Sequence, residues 1–377
     1  MATFRKRGNK WEYRISYKDP FTAKHRVKSK SGFQGKKEAQ LAAREMERQL
    51  EEGFEQTTLP LKHYLHEWLH EYKEGTIRKN TYNLHQANIK NHILPYFKDI
   101  QIDQIKPMMY QKFINHLFDQ EYSRRTIEIV HNTMFNSLQK AVTIHKLQKN
   151  PCEGVTLKGD KKKKDVQFID SGDIPSFLQE AYKYGYIYWL FFKVLIETGM
   201  RKGEAAALQW TDINLKDKTI SISKTLDFQA KSKEELLGDP KTYSSTRVIT
   251  ISQSLTNDLH FHMKQQNQDK LTLNDLYHHD LNLVLCRKDG NYMPKSSLFN
   301  SFSRILKRTE IPPLPIHSLR HTHAVLLLEA GADMKYVQER LGHGSIQITS
   351  DVYAHISKKI EKDTMDKFES YTKGIFE

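Results

Sequence analysis

Four consecutive lysines, Lys161–Lys164, interrupt this chain between two long stretches of patterned apolar residues. Lysine is almost never fully buried without a partner, so four in a row cannot enter a shared core. The run, within the linker LKGDKKKKDVQFID, is therefore a good domain boundary. Such a run can also follow a polyanion, although solvated lysine is its ordinary role. With 377 residues the chain has the length for two or three domains.

Ahead of that linker two patterns follow one another. In residues 1–56, Trp11, Tyr13, Ile15 and Tyr17 alternate with polar side chains, the period of a half-buried strand. Asp19-Pro20 signals a turn, and His25–Ser29 reads as a returning strand. Lys36–Glu52 then reads as a helix with Ala39, Leu41, Ala42, Met46 and Leu50 near one face, ended by Gly53. Ten of the first 30 residues are Lys or Arg, against only Glu12 and Asp19. A small basic sheet of this kind can enter a DNA major groove, which makes Arg5, Lys6, Arg7 and Arg14 candidate contacts. An ordinary α+β module with a solvated charged face is the alternative.

Residues 57–160 carry a helical period. Leu61, Tyr64, Leu65, Trp68 and Leu69 share one face, and similar stretches cover Thr81–Ile93, Pro107–Phe118 and Arg124–His145. Arg78, Lys79, Arg124 and Arg125 sit at expected helix starts, where cationic side chains and free N–H groups can meet phosphates together.

The net charge is +14, from 59 Lys plus Arg against 45 Asp plus Glu, and favours polyanionic partners. Two cysteines, Cys152 and Cys286, allow neither a disulfide framework nor a CxxC zinc pattern, and suit a reducing cytoplasm. The basic N-terminus lacks an apolar signal core, and the longest apolar stretch, near Tyr186–Ile196, is broken by Lys193 and too short for a bilayer.

In residues 165–377 the polar chemistry collects at four places. Asp170–Asp173 can cap a helix running past Phe177, and a second helix over Tyr188–Glu197 stops at Gly199. ETGMRKGE then leaves Arg201 at the start of an alanine-rich helix ending near Trp210; an arginine there can clasp a phosphate, or simply pair with Glu204. Lys241 precedes one of two alternating stretches, Thr219–Lys224 and Thr246–Ile251. HSLRHTHA opens a helix reaching Glu329, with His317 and Arg320 on one side and His321 close to it. The H-x-x-x-H spacing resembles a zinc-peptidase site, but Ser318 stands where its glutamate base would be, and Arg320 would repel a cation. No metal is expected. His323 is expected to be structural. After the helix Met334–Arg340, Gly342 caps and His343 follows; Tyr353 lies ten residues further on.

Taken together, TGMRKGE, the lysine of PKT, HSLRH, LGH and Tyr353 resemble the tyrosine recombinases, the phage-integrase family. The basic N-terminus and helical middle look like the arm-binding and core-binding domains of integrases from temperate phages and integrative conjugative elements. The resemblance implies a multidomain fold, mainly α with small β-sheets (α+β): an arm-type domain at 1–56, a core-binding domain at 57–160 and a catalytic domain at 165–377. It implies that Tyr353 attacks a DNA phosphate to form a 3′-phosphotyrosyl link. Arg201, Arg320 and His343 would hold the phosphate, His317 would assist proton transfer and Lys241 would protonate the leaving oxygen. Lys224, Lys231 and Lys233 compete for that last role. Glu204 would orient the arginines and His321 would support them. No cofactor is implied. The implied partners are double-stranded attachment sites, core and arm, and three further copies in a tetramer on synapsed DNA. An excisionase and a DNA-bending host protein could join them, and no membrane is involved. The expected setting is the bacterial cytoplasm, at the nucleoid. A type IB topoisomerase and a non-catalytic DNA-binding regulator are the competing readings.

Overall fold

A computed structural model describes residues 2–18, 25–51, 59–159, 166–230, 232–238 and 246–342, with 344, 350, 365, 368–373 and 375. These residues are mainly helical, with three small antiparallel sheets, so the α+β class is as expected. The chain forms two compact units, residues 1–163 and 164–377.

The first unit begins with strands β1 (Ala2–Arg7), β2 (Lys10–Lys18) and β3 (His25–Phe33) in the order β1-β2-β3, followed by helix α1 (Lys36–Glu51). Strand β1 is not apparent in the sequence, because its Arg-Lys-Arg run reads as a solvated arm. It forms because Phe4 pairs opposite Tyr13 and Ala2 opposite Ile15, giving the sheet one apolar face. That face packs on Ala42, Ala43, Met46 and Leu50 of α1. Leu41 is 69% exposed; Ala39 and Ala43 hold the inner positions instead.

A second core in this unit joins helices α2 (Leu61–Tyr72), α3 (Lys79–Asn88), α4 (Leu94–Phe97), α5 (Pro107–Asp119) and α6 (Arg124–Thr143) around Tyr64, Trp68, Ile93, Phe113 and Leu138. A π-turn at Ile89–Ile93 joins α3 to α4, just ahead of Pro95, which has no N–H to give.

The second unit is built on α7 (Ile174–Tyr184) and α8 (Tyr186–Thr198). Helix α8, YIYWLFFKVLIET, is apolar on nearly every side, and so occupies the centre of the core rather than its edge. Helix α9 (Lys202–Ala206) is shorter than its alanine content suggests. The backbone leaves the helix because Leu208 accepts from the Val284 N–H and Gln209 bridges to Leu283. Strands β4 (Ile213–Asn214), β5 (Thr219–Ile222), β6 (Thr225–Leu226), β7 (Leu237–Gly238) and β8 (Arg247–Thr250) follow, in sheets β4-β5-β8 and β6-β7. The long insert between β5 and β8 thus folds in part as its own hairpin. Helices α10 (Gln253–Leu273), α11 (Lys295–Leu306), α12 (Ser318–Glu329) and α13 (Met334–Leu341) complete the unit.

Candidate active site

Two helices of the second unit end on glycines in the left-handed conformation, α8 at Gly199 (φ +65°) and α13 at Gly342 (φ +64°). A Cβ on Gly199 would lie 2.4 Å from Leu341 Cδ2 and 2.6 Å from His323 Cδ2, so glycine also permits the two ends to meet. Helix C-termini present unpaired carbonyls and negative partial charge, and here arginines satisfy them.

The last carbonyls of α13 take one arginine each. The Arg340 carbonyl accepts from Arg247 Nε at 2.7 Å, that of Leu341 from Arg320 Nη2, and that of Gly342 from Arg201 Nη2 at 3.2 Å. Arg320 also donates to the Gly199 carbonyl at 2.7 Å, which ties α8 to α13. Beside them sits a buried carboxylate, Glu204. It accepts from the Arg201 backbone N–H (2.9 Å), Arg201 Nη1 (2.7 Å) and Arg247 Nη2 (2.9 Å). Burial pushes the Glu204 carboxyl up, but Arg247 and Arg201 outweigh it and hold it below its ordinary value. Three guanidinium groups around one carboxylate leave an excess of positive charge, the electrostatics of an anion site. Burial and the neighbouring Arg201 and Arg247 lower the pKa of Arg320, yet a guanidinium starts too high to lose its proton near pH 7.

The three histidines of HSLRHTHA separate by depth. His317 caps α12 and opens to solvent at the rim. The protein behind it, then His321, Arg320 and Arg201, pull its pKa to about 4, so the ring is neutral at pH 7. His321 packs edge-on to it, with ring centroids 5.1 Å apart, and is lowered by burial and by Arg320. His323 is buried: its Nδ1 lies 2.8 Å from the Ile196 carbonyl, and its Nε2 is 3.0 Å from Arg340 Nε. Arg340 can only donate, so His323 accepts at Nε2 and carries its proton on Nδ1. Burial and Arg340 take it down to about 3. It is a structural link between α8, α12 and α13.

Residues 167–359, just over half the chain, match the model of the Phage integrase family. The chain belongs to that family. It is a tyrosine-type site-specific recombinase. Residues 61–118 match the N-terminal SAM-like domain of phage integrases, and residues 3–50 an Arm DNA-binding domain. A XerC-like tyrosine recombinase of Caldanaerobacter subterraneus is 29% identical over 80% of this chain and 81% of its own. The ICEBs1 integrase of Bacillus subtilis is 28% identical over 78% of each chain. Among solved structures, the Tn1549 transposon integrase in complex with transposon right end DNA superposes with a TM-score of 0.65 at 20% identity, covering 81% of this chain and 98% of that one. A lambda integrase tetramer bound to a Holliday junction gives 0.57 at 16% identity, covering 92% and 96%. At these identities the structures speak for the fold.

Of the expected recombinase residues, Arg201, Glu204, His317, Arg320 and His321 come together at the helix ends described above. Lys241, His343 and Tyr353 lie outside the described residues, as does Lys231. Lys224 hydrogen-bonds Gln209 (2.6 Å) and Asp212 (3.0 Å), and Lys233 pairs with Asp280 at the surface (2.9 Å). Arg247 and Arg340 were not anticipated. No local motif marks them, since Glu204 is 43 residues from Arg247 and His323 is 17 from Arg340.

The candidate DNA contacts divide in the same way. Arg5, Arg7 and Arg14 project from the sheet face opposite α1, where Arg5 pairs with Glu12 at 2.9 Å. Lys6 stands opposite Trp11 and points to the other face. Arg78, Lys79 and Arg125 are exposed at their helix starts. Arg124 is taken up internally, by Glu128 and by the carbonyls of Leu157 and Gly159. Among the described residues, no helix is long and apolar enough to cross a membrane.

Proposed function

We propose that the arginine cluster is a phosphodiester clamp and that Tyr353 is its nucleophile. The tyrosine oxygen attacks the scissile phosphorus and the bond to the 5′-oxygen breaks, leaving a 3′-phosphotyrosyl link. The tyrosine proton passes towards His317, whose neutral ring can accept it, and Lys241 supplies a proton to the departing 5′-oxygen. A 5′-hydroxyl of the partner strand then reverses the step and restores a phosphodiester. Arg201 and Arg320 meet the charge on the non-bridging oxygens, with His343 as a further donor. Glu204 braces Arg201, and His321 backs His317.

On this reading residues 1–56 bind arm sites, 57–160 bind core sites and 165–377 carry the chemistry. The protein integrates and excises a mobile element at double-stranded attachment sites, within the bacterial cytoplasm at the nucleoid. It works as a tetramer on synapsed DNA, with an excisionase and a DNA-bending host protein as accessory partners. The integrase names of the relatives and the lambda integrase tetramer on its junction support this.

One observation supports the proposal: among the described residues Arg201, Arg247, Arg320 and a neutral His317 converge around one carboxylate, Glu204, so positive charge remains in excess at these helix ends. The test is a nicked suicide substrate made from the repeats that border the element. Wild type is expected to trap a covalent adduct, with or without EDTA, and Tyr353→Phe none. Equal adduct from both proteins refutes the chemistry. Efficient relaxation of supercoiled plasmid lacking any attachment site points instead to a topoisomerase.

A further inference from the structure

Lys202, the residue after Arg201, has an unusual position for a lysine at a helix start. Its ammonium lies over two rings, 5.4 Å from the centroid of Phe228 and 5.6 Å from that of Phe299. It is only partly exposed, and no described residue offers it a hydrogen-bond acceptor or an ion pair. Burial and then Lys295 both lower its pKa, so it is desolvated and repelled by a second cation at once.

The surrounding cleft, about 410 Å³, is shared by Lys202 with Arg201, Thr225, Phe228, Phe299 and His317. Its one carboxylate, Glu204, is 3% exposed and already held by Arg201 and Arg247. Lys295 borders the adjoining hollow, which shares both phenylalanines. Among the described residues the cleft therefore offers cations and aromatic walls with no available negative charge. An ordinary solvated lysine would extend into water away from Lys295, whereas this one is held over two rings.

We propose that this cleft is a second phosphate subsite, in which Lys202 binds a non-scissile phosphodiester beside the one clasped by Arg201 and Arg320. This rests on the proposed function. Phosphates on one strand follow at roughly 3.4 Å of helix rise, so a clamp on one must accommodate its neighbour. Phe228 and Phe299 would line the deoxyribose and keep water from the contact. No bond is made or broken at the subsite; it fixes the position of the strand.

Single neutral methylphosphonates, placed in turn at each phosphate flanking the cleavage point, test this against full-length wild type, Lys202→Met and Lys202→Arg. Affinity is read on a Tyr353→Phe background, so the outcome is independent of cleavage. One flanking methylphosphonate is expected to weaken the wild-type Lys202 protein about tenfold to a hundredfold, the scale of a charge-assisted hydrogen bond. The same DNA should cost Lys202→Met nothing further, and Lys202→Arg should recover most of the binding. The salt dependence of Lys202→Met should lose about 0.9 of a unit in slope, one phosphate contact. Additive losses at every flanking phosphate, with the thermal midpoint unchanged, overturn the subsite. So does a Lys202→Met defect seen only in cleavage and cured by a sulfur leaving group at the 5′ position, which would make Lys202 a proton donor. Failure of the covalent chemistry with methylphosphonate coupling intact would remove the nucleophile assignment and leave the phosphate site standing.

Discussion

Replacing Arg247 by methionine should expose how the arginine cluster is held. Arg247 is 7% exposed along its side chain and Glu204 2%, and they meet at 2.9 Å. Removing one partner of a buried pair costs about 3–5 kcal/mol, because the other charge is left without compensation. For a unit of roughly 150–250 residues each kcal/mol lowers the midpoint by about 2–4 °C, giving roughly 6–20 °C in all. Arg201 still grips Glu204, so the lower half of that range is expected. The pH dependence follows from the direction of the carboxyl shift. Glu204 is held below its ordinary value, so its contribution is complete above the unfolded pKa and disappears as pH falls through the folded one. Without Arg247 the folded pKa rises, and acid destabilisation begins at higher pH. The groups facing Glu204 are Arg201, Arg247 and, more distantly, Arg320 and His317. Thermal melts of the full chain from about pH 4 to about pH 8 test this. They should include Glu204→Gln and the double variant. The double variant should be less destabilised than the sum of the singles, because it leaves no orphaned carboxylate. Adduct formation should fall about 10–100-fold for Arg247→Met, by analogy with residues that orient metal ligands. A midpoint within about 2 °C of wild type, or strict additivity with Glu204→Gln, would refute the reasoning.

Two further outcomes follow from the same helix ends. Gly199→Ala should lower stability by more than the roughly 1–2 kcal/mol of a left-handed alanine, since its Cβ also meets Leu341 at 2.4 Å; adduct yield should drop with it, because the Gly199 carbonyl holds Arg320. A wild-type midpoint with unchanged adduct would contradict this. His323 has a folded pKa near 3 against an ordinary 6.5, so the native state takes up its proton last; stability should decline as pH falls from about 6.5 towards about 3, by at most about 1.4 kcal/mol per unit from this residue. His323→Gln should flatten that slope in calorimetry, and an unchanged slope would remove His323 as its source.

Much of the site was legible because it is local. Glycines with positive φ end α8 and α13 where the sequence suggested, and the i, i+3 spacing of Arg201 with Glu204 and of His317 with Arg320 survives folding intact. Spacing along a helix is set by backbone geometry alone, so neighbours three residues apart need no tertiary information to meet. The same reasoning failed where the partner is distant. It missed β1, whose basic run is drawn into a sheet by Phe4 meeting Tyr13, and it gave no sign that Arg124 would hydrogen-bond the Leu157 carbonyl.

What the sequence by itself determined is the local part of the site: Arg201 with Glu204, His317 with Arg320 and His321, and the glycines at which α8 and α13 stop. Tertiary structure alone decided which distant groups join them. Only packing of α8 against α12 and α13 brings the carbonyls of 340, 341 and 342 to Arg247, Arg320 and Arg201, turning a helix end into a template for three guanidinium groups. The same packing sinks His323 beneath Arg340 and leaves His317 at the rim with a neutral ring, so that three histidines in one short motif end at different depths. Burial and charge neighbours are properties of the assembled core, and no one-dimensional pattern encodes them.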